Sequence, residues 1–74
     1  MPTQTEWEAR AANLLKAELK RKGVTYGELA QRLEAIGVEE KEVNIRNKLS
    51  RGKFTSAFLL QCLTAIGTSV IHLE

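Results

Sequence analysis

The chain has few of the features that stabilise exported proteins or anchor proteins in membranes. Its 74 residues include one cysteine, Cys62, so no disulfide can form within the chain. A lone thiol inside an apolar run is typical of a reducing compartment, and no apolar run approaches the roughly 20 residues that span a bilayer. The N-terminus also lacks the basic-then-apolar pattern of a secretory signal. We therefore expect a soluble, cytoplasmic protein that does not contact membranes.

Residues that commonly carry catalysis are also scarce. The single histidine, His72, is remote in sequence from Cys62, and nothing in the pattern orients the two as base and nucleophile. The chain has no zinc-ligand spacing, no phosphate-binding loop and no paired carboxylates in an apolar setting. Because so short a chain also leaves little room for a substrate cavity, we expect no enzyme activity, cofactor, metal or small-molecule ligand.

The composition is that of one small helical domain covering residues 1–74. Hydrophobic residues make up 43% of the chain, and its leucine, alanine and isoleucine favour helices over sheets. The net charge is only +2. A charge this small is compatible with binding to nucleic acid but does not indicate it. Evidence for or against such binding must come from how the charges are distributed along the chain.

Local signals divide the chain into four helices with short connections. Residues 5–8 and 25–28 both have the capping-box pattern, in which a Thr hydroxyl and a Glu carboxylate satisfy amides of the first helical turn. Residues 1–4 are then a frayed end, and the third helix runs from about residue 39 to 51. Thr55 or Ser56 caps the fourth helix. Glycines at the expected helix ends support this division: Gly23, Gly37, Gly52 and Gly67.

Apolar residues at helical spacing predict one core, whereas the tail is ambiguous. Residues 68–74 fit a last helical turn, but their alternation also fits a strand that would pair with a second copy. The residues expected in the core are Trp7, Leu15, Leu19, Leu29, Leu33, Ile45, Leu49, Leu59, Leu63 and Ile66.

The third predicted helix has a polar face and an apolar face. Four of its polar residues are spaced i, i+3, i+4 and i+7, which at ~100° per residue places them on one side. Amides and cations displayed together suit base edges and phosphates, although a solvated face is the simpler interpretation from composition alone. Asparagine is a poor helix former, so two asparagines in this segment lower the stability of the helix. Their presence despite this cost favours a functional role. The four residues are Asn44, Asn47, Lys48 and Arg51, opposite Val38, Ile45 and Leu49.

The order of these features resembles the lambda-repressor/Cro-like helix-turn-helix family over roughly residues 14–73. The resemblance rests on Leu15, Leu19, Gly23 and Val24, on Thr25, Glu28, Leu29, Ala30 and Leu33, on residues 49–52, and on Leu59, Leu60, Leu63, Ala65, Ile66 and Gly67. The chain also resembles a group of short bacterial proteins known only as an uncharacterised domain. The first resemblance implies a compact all-α domain of four to five helices whose third helix enters the major groove of DNA.

The resemblance also implies which residues contact the DNA backbone. The family usually has a phosphate-binding glutamine beside the cap of its second helix, where this chain has Tyr26 next to Thr25. Independently of the resemblance, Arg51 and Lys53 flank Gly52 as a candidate phosphate clamp, and the alternative is a helix end with two cations that the helix dipole favours. The chain departs from the family at the start of the third segment, because Glu39, Glu40 and Glu42 would repel phosphates there.

Two functions from different classes follow. The first is sequence-specific binding of double-stranded DNA by a small transcriptional regulator, with Asn44, Asn47, Lys48, Arg51, Lys53, Thr25 and Tyr26 as the contact residues. The alternative is a protein-interaction or dimerisation module whose acidic segment meets a basic partner. One such DNA-binding module normally needs a second copy for useful affinity, so we expect a homodimer. Its apolar interface is predicted to use Phe58, Val70, Ile71 and Leu73.

Overall fold

A computed structural model describes residues 4–73, and it describes Gln4 by its backbone alone. These residues form four α-helices and no strand: α1 Gln4–Lys22, α2 Tyr26–Ala35, α3 Glu42–Arg51 and α4 Ser56–Ala65. The predicted all-helical class is therefore confirmed, with four helices in this part of the chain. Within the same residues no helix has both the length and the apolar character needed to cross a bilayer.

Side-chain caps fix where α2 and α4 begin. The Thr25 hydroxyl accepts a hydrogen bond from the Glu28 amide at 3.1 Å, and the Glu28 carboxylate accepts one from the Thr25 amide at 3.0 Å. The hydrogen bond from the Thr25 backbone amide, followed by the interaction of the carboxylate with the Thr25 side chain, lowers the pKa of Glu28. The Thr55 hydroxyl caps α4 by accepting from the Phe58 amide at 3.0 Å. Both predicted caps are confirmed.

Two predicted helix starts are wrong. Helix α1 already includes Gln4, so Thr5 lies inside the first turn and cannot be the cap. The predicted frayed end falls mostly on residues 1–3, which lie outside the described residues. Helix α3 begins at Glu42 rather than near residue 39, because Lys41 has an extended backbone with φ −86° and ψ 149°. Residues 39–41 are therefore a loop that leads into α3.

The four helices enclose one apolar core. Helix α1 packs against α3 and α4, and α2 packs against the same two helices. Most of the predicted core is confirmed, but Trp7 is 50% exposed and Leu59 is only half-buried. Phe58, predicted to lie on an interface, is 4% exposed. The buried apolar residues are Ala12, Leu15, Leu19, Val24, Leu29, Leu33, Ile45, Leu49, Phe58, Cys62, Leu63 and Ile66.

The tail lies beside α1 without regular structure. Residues 68–73 form neither a helical turn nor a strand, so neither predicted alternative is observed there, and Glu74 lies outside the described residues. The Thr68 hydroxyl donates to the Glu18 carboxylate at 3.2 Å, and the Lys22 ammonium donates to the Gly67 carbonyl at 3.4 Å. These bonds hold the start of the tail against the C-terminal half of α1.

Gly52 fixes the end of α3 against α1. Its φ of 70° is in the left-handed region, which favours glycine. A Cβ atom at this position would lie 2.8 Å from the Glu8 carbonyl oxygen, so a side chain would collide with the backbone of α1. The next residue adds a second link, since the Lys53 ammonium lies 3.1 Å from the Glu8 carboxylate. The C-terminal end of α3 therefore has a set position relative to α1.

Candidate nucleic-acid interface

Helix α3 presents a polar outer face that is open to solvent. Ile45 and Leu49 are buried against the core, and at ~100° per residue Asn47 points directly away from them. Asn44 and Arg51 flank Asn47, and all three side chains are exposed. We call these three residues the α3 outer face. The structure thus brings together three of the four polar residues that the sequence predicted on this helix.

Lys48, the fourth predicted residue, lies at the edge of this face, and its ammonium already has partners within the fold. Its ammonium lies 3.0 Å from the Glu40 carboxylate and 4.4 Å from the centroid of the Phe58 ring. The Glu40 side chain is only 14% exposed, against 36% for Lys48. An ion pair shielded from water in this way is stronger than one on the surface. Lys48 therefore ties α3 to the loop before it and to α4.

The other predicted contact residues lie on two sides of α3. Lys53 follows α3 and pairs with Glu8 of α1 at 3.1 Å. Thr25 is exposed at the start of α2, where its hydroxyl already accepts one hydrogen bond. Tyr26 is half-buried, and the Arg46 guanidinium lies 6.0 Å from the centroid of its ring. The structure brings Thr25 and Tyr26 together, whereas Lys53 lies at the opposite end of α3.

Thr25 and Tyr26 line an open groove whose cations come mainly from α1. This groove of about 390 Å³ also contains Lys16, Lys20 and Arg46, and we call it the basic groove. Arg46 is salt-bridged at 2.9 Å to Glu42, which lines the groove as well. The sequence patterns did not predict the groove, because Lys16 and Lys20 are far from α3 in sequence. The sequence shows Lys16 and Lys20 as part of a basic cluster with Arg21 and Lys22, which Glu18 interrupts and which is typical of a solvated helix surface.

The opposite side of α3 is acidic. A groove of about 350 Å³ beside Asn44 is lined by Glu34, Glu39 and Glu40, together with Lys41. No group of acidic residues, cysteine or histidine within residues 4–73 has the arrangement of a metal site. The outer face of α3 therefore lies between a basic and an acidic groove, so an anionic partner is attracted to one side of the helix and repelled from the other.

The remaining potentially reactive groups lie elsewhere in the fold. Burial, followed by the nearby Glu40 carboxylate, raises the pKa of the Cys62 thiol to about 12. Cys62 therefore keeps its proton at neutral pH, and a protonated thiol is a poor nucleophile. His72 is exposed in the tail and lines a groove beside α1, away from Cys62 in the core.

Comparisons with known proteins identify a family but not an activity. No protein with a curated description matches the chain, and no solved structure matches it either. One family model matches residues 7–71, which include all four helices except the first residues of α1. The chain therefore belongs to the family described as Domain of unknown function (DUF6471).

Proposed function

We propose that this protein binds double-stranded DNA in the major groove through the α3 outer face and acts as a small transcriptional regulator of the lambda-repressor/Cro-like type. The observation that carries the proposal is the exposed set of Asn44, Asn47 and Arg51 on a helix that also contributes Arg46 to the basic groove. Two amides and a guanidinium can read base edges, while neighbouring cations can hold the phosphate backbone.

Each residue of the outer face has a role in this proposal. Asn47 is central, and its carboxamide can donate to and accept from the major-groove edge of adenine. Arg51 makes no ion pair among the described residues, so its guanidinium is available for a guanine edge or a phosphate. Asn44 lies beside the acidic groove, and its base contact is therefore the weaker of the two asparagine contacts.

The basic groove supplies the backbone contacts. Lys16 and Lys20 form no salt bridge within the described residues and can each neutralise a phosphate. The Tyr26 hydroxyl and the N-terminal end of α2 add neutral donors on the same side. Lys53 is a weaker candidate because a phosphate must first displace Glu8 from it. The Glu8 side chain is only 19% exposed, so this displacement leaves a largely shielded carboxylate without its partner.

The test is binding of fluorescently labelled duplex DNA, measured by anisotropy over a range of salt concentrations. A preferred site is first selected from random duplexes. Asn47→Ala should then cost about 1–3 kcal/mol on that site and reduce the preference among sequences. Lys20→Ala should weaken binding to all duplexes alike and reduce the slope of log K against log salt by about 0.9.

A matched control separates a specific contact from a general loss of charge. Arg51 and Arg32 are both exposed cations in the last turn of a helix, but Arg32 lies on α2, outside the α3 outer face and the basic groove. Arg51→Ala should weaken DNA binding, whereas Arg32→Ala should change it much less. If Asn47→Ala and Arg51→Ala both leave duplex binding unchanged, the proposed role of α3 is wrong.

The second candidate function is a protein-interaction module, and the acidic groove favours it. Glu34, Glu39 and Glu40 present negative charge that a basic segment of another protein can match. Absence of duplex binding even at low salt would support this alternative. Under this alternative Glu39→Gln should weaken binding of a Lys-rich peptide. Under the DNA-binding proposal the same variant should not weaken binding of a DNA duplex.

A further inference from the structure

One side of α1 is apolar although it does not face the core. It forms one wall of an open groove of about 610 Å³, and Leu59 and the tail form the rest. We call it the apolar groove. Trp7 in this groove is 50% exposed and Leu73 is 79% exposed. Trp7 is the only tryptophan of the chain. An exposed tryptophan beside exposed aliphatic side chains is typical of a contact surface rather than of a solvated helix face.

The residues along this side of α1 are arranged symmetrically about Leu14. Arg10 precedes Leu14 by four residues and Glu18 follows it by four, so opposite charges lie at equal distances from the centre. Ala11 and Ala17 lie three residues before and after Leu14, where small side chains permit close approach of another helix. All five residues line the apolar groove, and the exposed polar side chain of Asn13 lines it with them.

This arrangement is complementary to itself when a second α1 lies antiparallel to the first. Across a two-fold axis at Leu14, each residue faces the one equally far from the centre on the other helix. Arg10, whose guanidinium lies 4.7 Å from the centroid of the Trp7 ring, then faces the partner's Glu18, and Glu18 faces the partner's Arg10. Glu18 already pairs with Arg21 at 2.7 Å within its own chain, so the partner's Arg10 joins an existing ion pair. Leu14 meets the partner's Leu14, with alanines on both sides. The same surface therefore provides two opposite-charge pairs around an apolar centre.

We propose that the occupant of the apolar groove is a second copy of this chain, bound antiparallel along α1 with the two-fold axis at Leu14. The interface differs from the one expected from the sequence, because Phe58 is buried in the core and α1 supplies the central contacts. The apolar and basic grooves lie on different sides of α1, since Leu14 and Ala17 line the first and Lys16 and Lys20 the second. The dimer thus leaves the basic groove open.

This proposal does not depend on DNA binding, because the dimer is tested without DNA. Native mass spectrometry and sedimentation equilibrium should show a species of twice the 8.3 kDa chain mass. Arg10→Glu and Glu18→Arg each replace both opposite-charge pairs between the chains by like-charge pairs. Glu18→Arg also removes the Arg21 pair and the Thr68 hydrogen bond within the chain, so the mixture of the two variants decides. Each variant alone should therefore dimerise about tenfold or more weakly than the parent.

The decisive experiment is to mix these two variants. In a mixed dimer the new carboxylate at position 10 of one chain faces the new guanidinium at position 18 of the other. The unchanged Glu18 of the first chain faces the unchanged Arg10 of the second, so both pairs are attractive again. The mixture should form heterodimers in preference to either homodimer, and the three species differ in mass. Equal weakening of all three dimers would overturn the antiparallel register, and a parent chain that remains monomeric at every concentration would overturn the dimer.

A second pair of variants guards against effects on folding. Ala17 and Ala9 are both exposed on α1, but only Ala17 lines the apolar groove. Ala17→Arg should prevent dimerisation, whereas Ala9→Arg should not, and both should keep the helical circular-dichroism spectrum of the parent. Trp7 reports the same event, because its fluorescence should shift to shorter wavelength as the parent is concentrated. Dimerisation that survives Ala17→Arg would exclude this surface.

Discussion

Two cations of α3 form ion pairs in different surroundings. Lys48 pairs with Glu40 beside the Phe58 ring, where the Glu40 carboxylate is largely shielded from water. Arg46 pairs with Glu42 at 2.9 Å, but both of these side chains are more than half exposed. Water screens the second pair and competes for its hydrogen bonds. The two pairs should therefore differ in their contribution to stability although the distances are similar.

Removing each cation tests this difference at the residue scale. Lys48→Ala leaves the shielded Glu40 carboxylate without its partner and should lower the free energy of unfolding by roughly 1–3 kcal/mol. Arg46→Ala should cost less than about 1 kcal/mol, because it breaks an exposed pair. Urea unfolding of both variants at neutral pH measures the two values. Equal costs would show that the Glu40 carboxylate is solvated to the same extent as the Glu42 carboxylate.

The cap of α2 makes the stability of this helix depend on pH. Glu28 has a lowered pKa in the folded protein because it accepts the Thr25 backbone hydrogen bond. A carboxyl group whose pKa is lowered by folding stabilises the folded state above the pKa of the unfolded chain, ordinarily about 4.3. That contribution is lost as the pH falls through the lower pKa of the folded protein.

Glu28→Gln tests this dependence at the scale of the element. The variant should be less stable than the parent at neutral pH, and the difference should shrink as the pH is lowered below about 4. Glu34→Gln, which removes a charge from the same helix but not from the cap, is the control. Thermal melts of the three proteins at several pH values provide the measurement. A difference that is the same at every pH would exclude the ionised cap.

The helix ends show which parts of the elements a sequence can predict. The starts of α2 and α4 were predicted correctly because the hydrogen bonds to Thr25 and Thr55 join residues three apart. The start of α3 was predicted too early, because the helix propensities of residues 39–41 are compatible with a helix. Glu40 instead pairs with Lys48, eight residues further along the chain. A contact between residues this far apart depends on the fold and is not visible in local patterns.

The same reason explains the errors about α1 and the candidate site. Trp7 was assigned to the core because α1 has apolar residues on two sides, and the pattern does not show which side faces the other helices. The α3 outer face was predicted because its residues share one helix. The basic groove was not predicted, because Lys16 and Lys20 come to line the same groove as Thr25 only in the folded chain.

At the scale of the whole molecule, stability depends on the shared core. Leu33 of α2 is fully buried, whereas Leu60 of α4 is 63% exposed. Leu33→Ala should lower the free energy of unfolding by roughly 2–5 kcal/mol, because it removes apolar contacts and leaves a cavity. The same substitution at Leu60 should cost much less. Chemical unfolding, monitored by circular dichroism, compares the two variants. Similar unfolding midpoints would contradict the observed core.

The close approach of Gly52 to α1 also has a consequence for the DNA that the protein would select. Because the end of α3 is held against the Glu8 backbone, pairing two α1 helices about a two-fold axis would also fix the separation and direction of the two α3 helices. If both proposals hold, the preferred DNA is an inverted repeat whose half-site spacing is set before any DNA is bound. Inserting a few base pairs between the half-sites should then abolish simultaneous binding by both subunits.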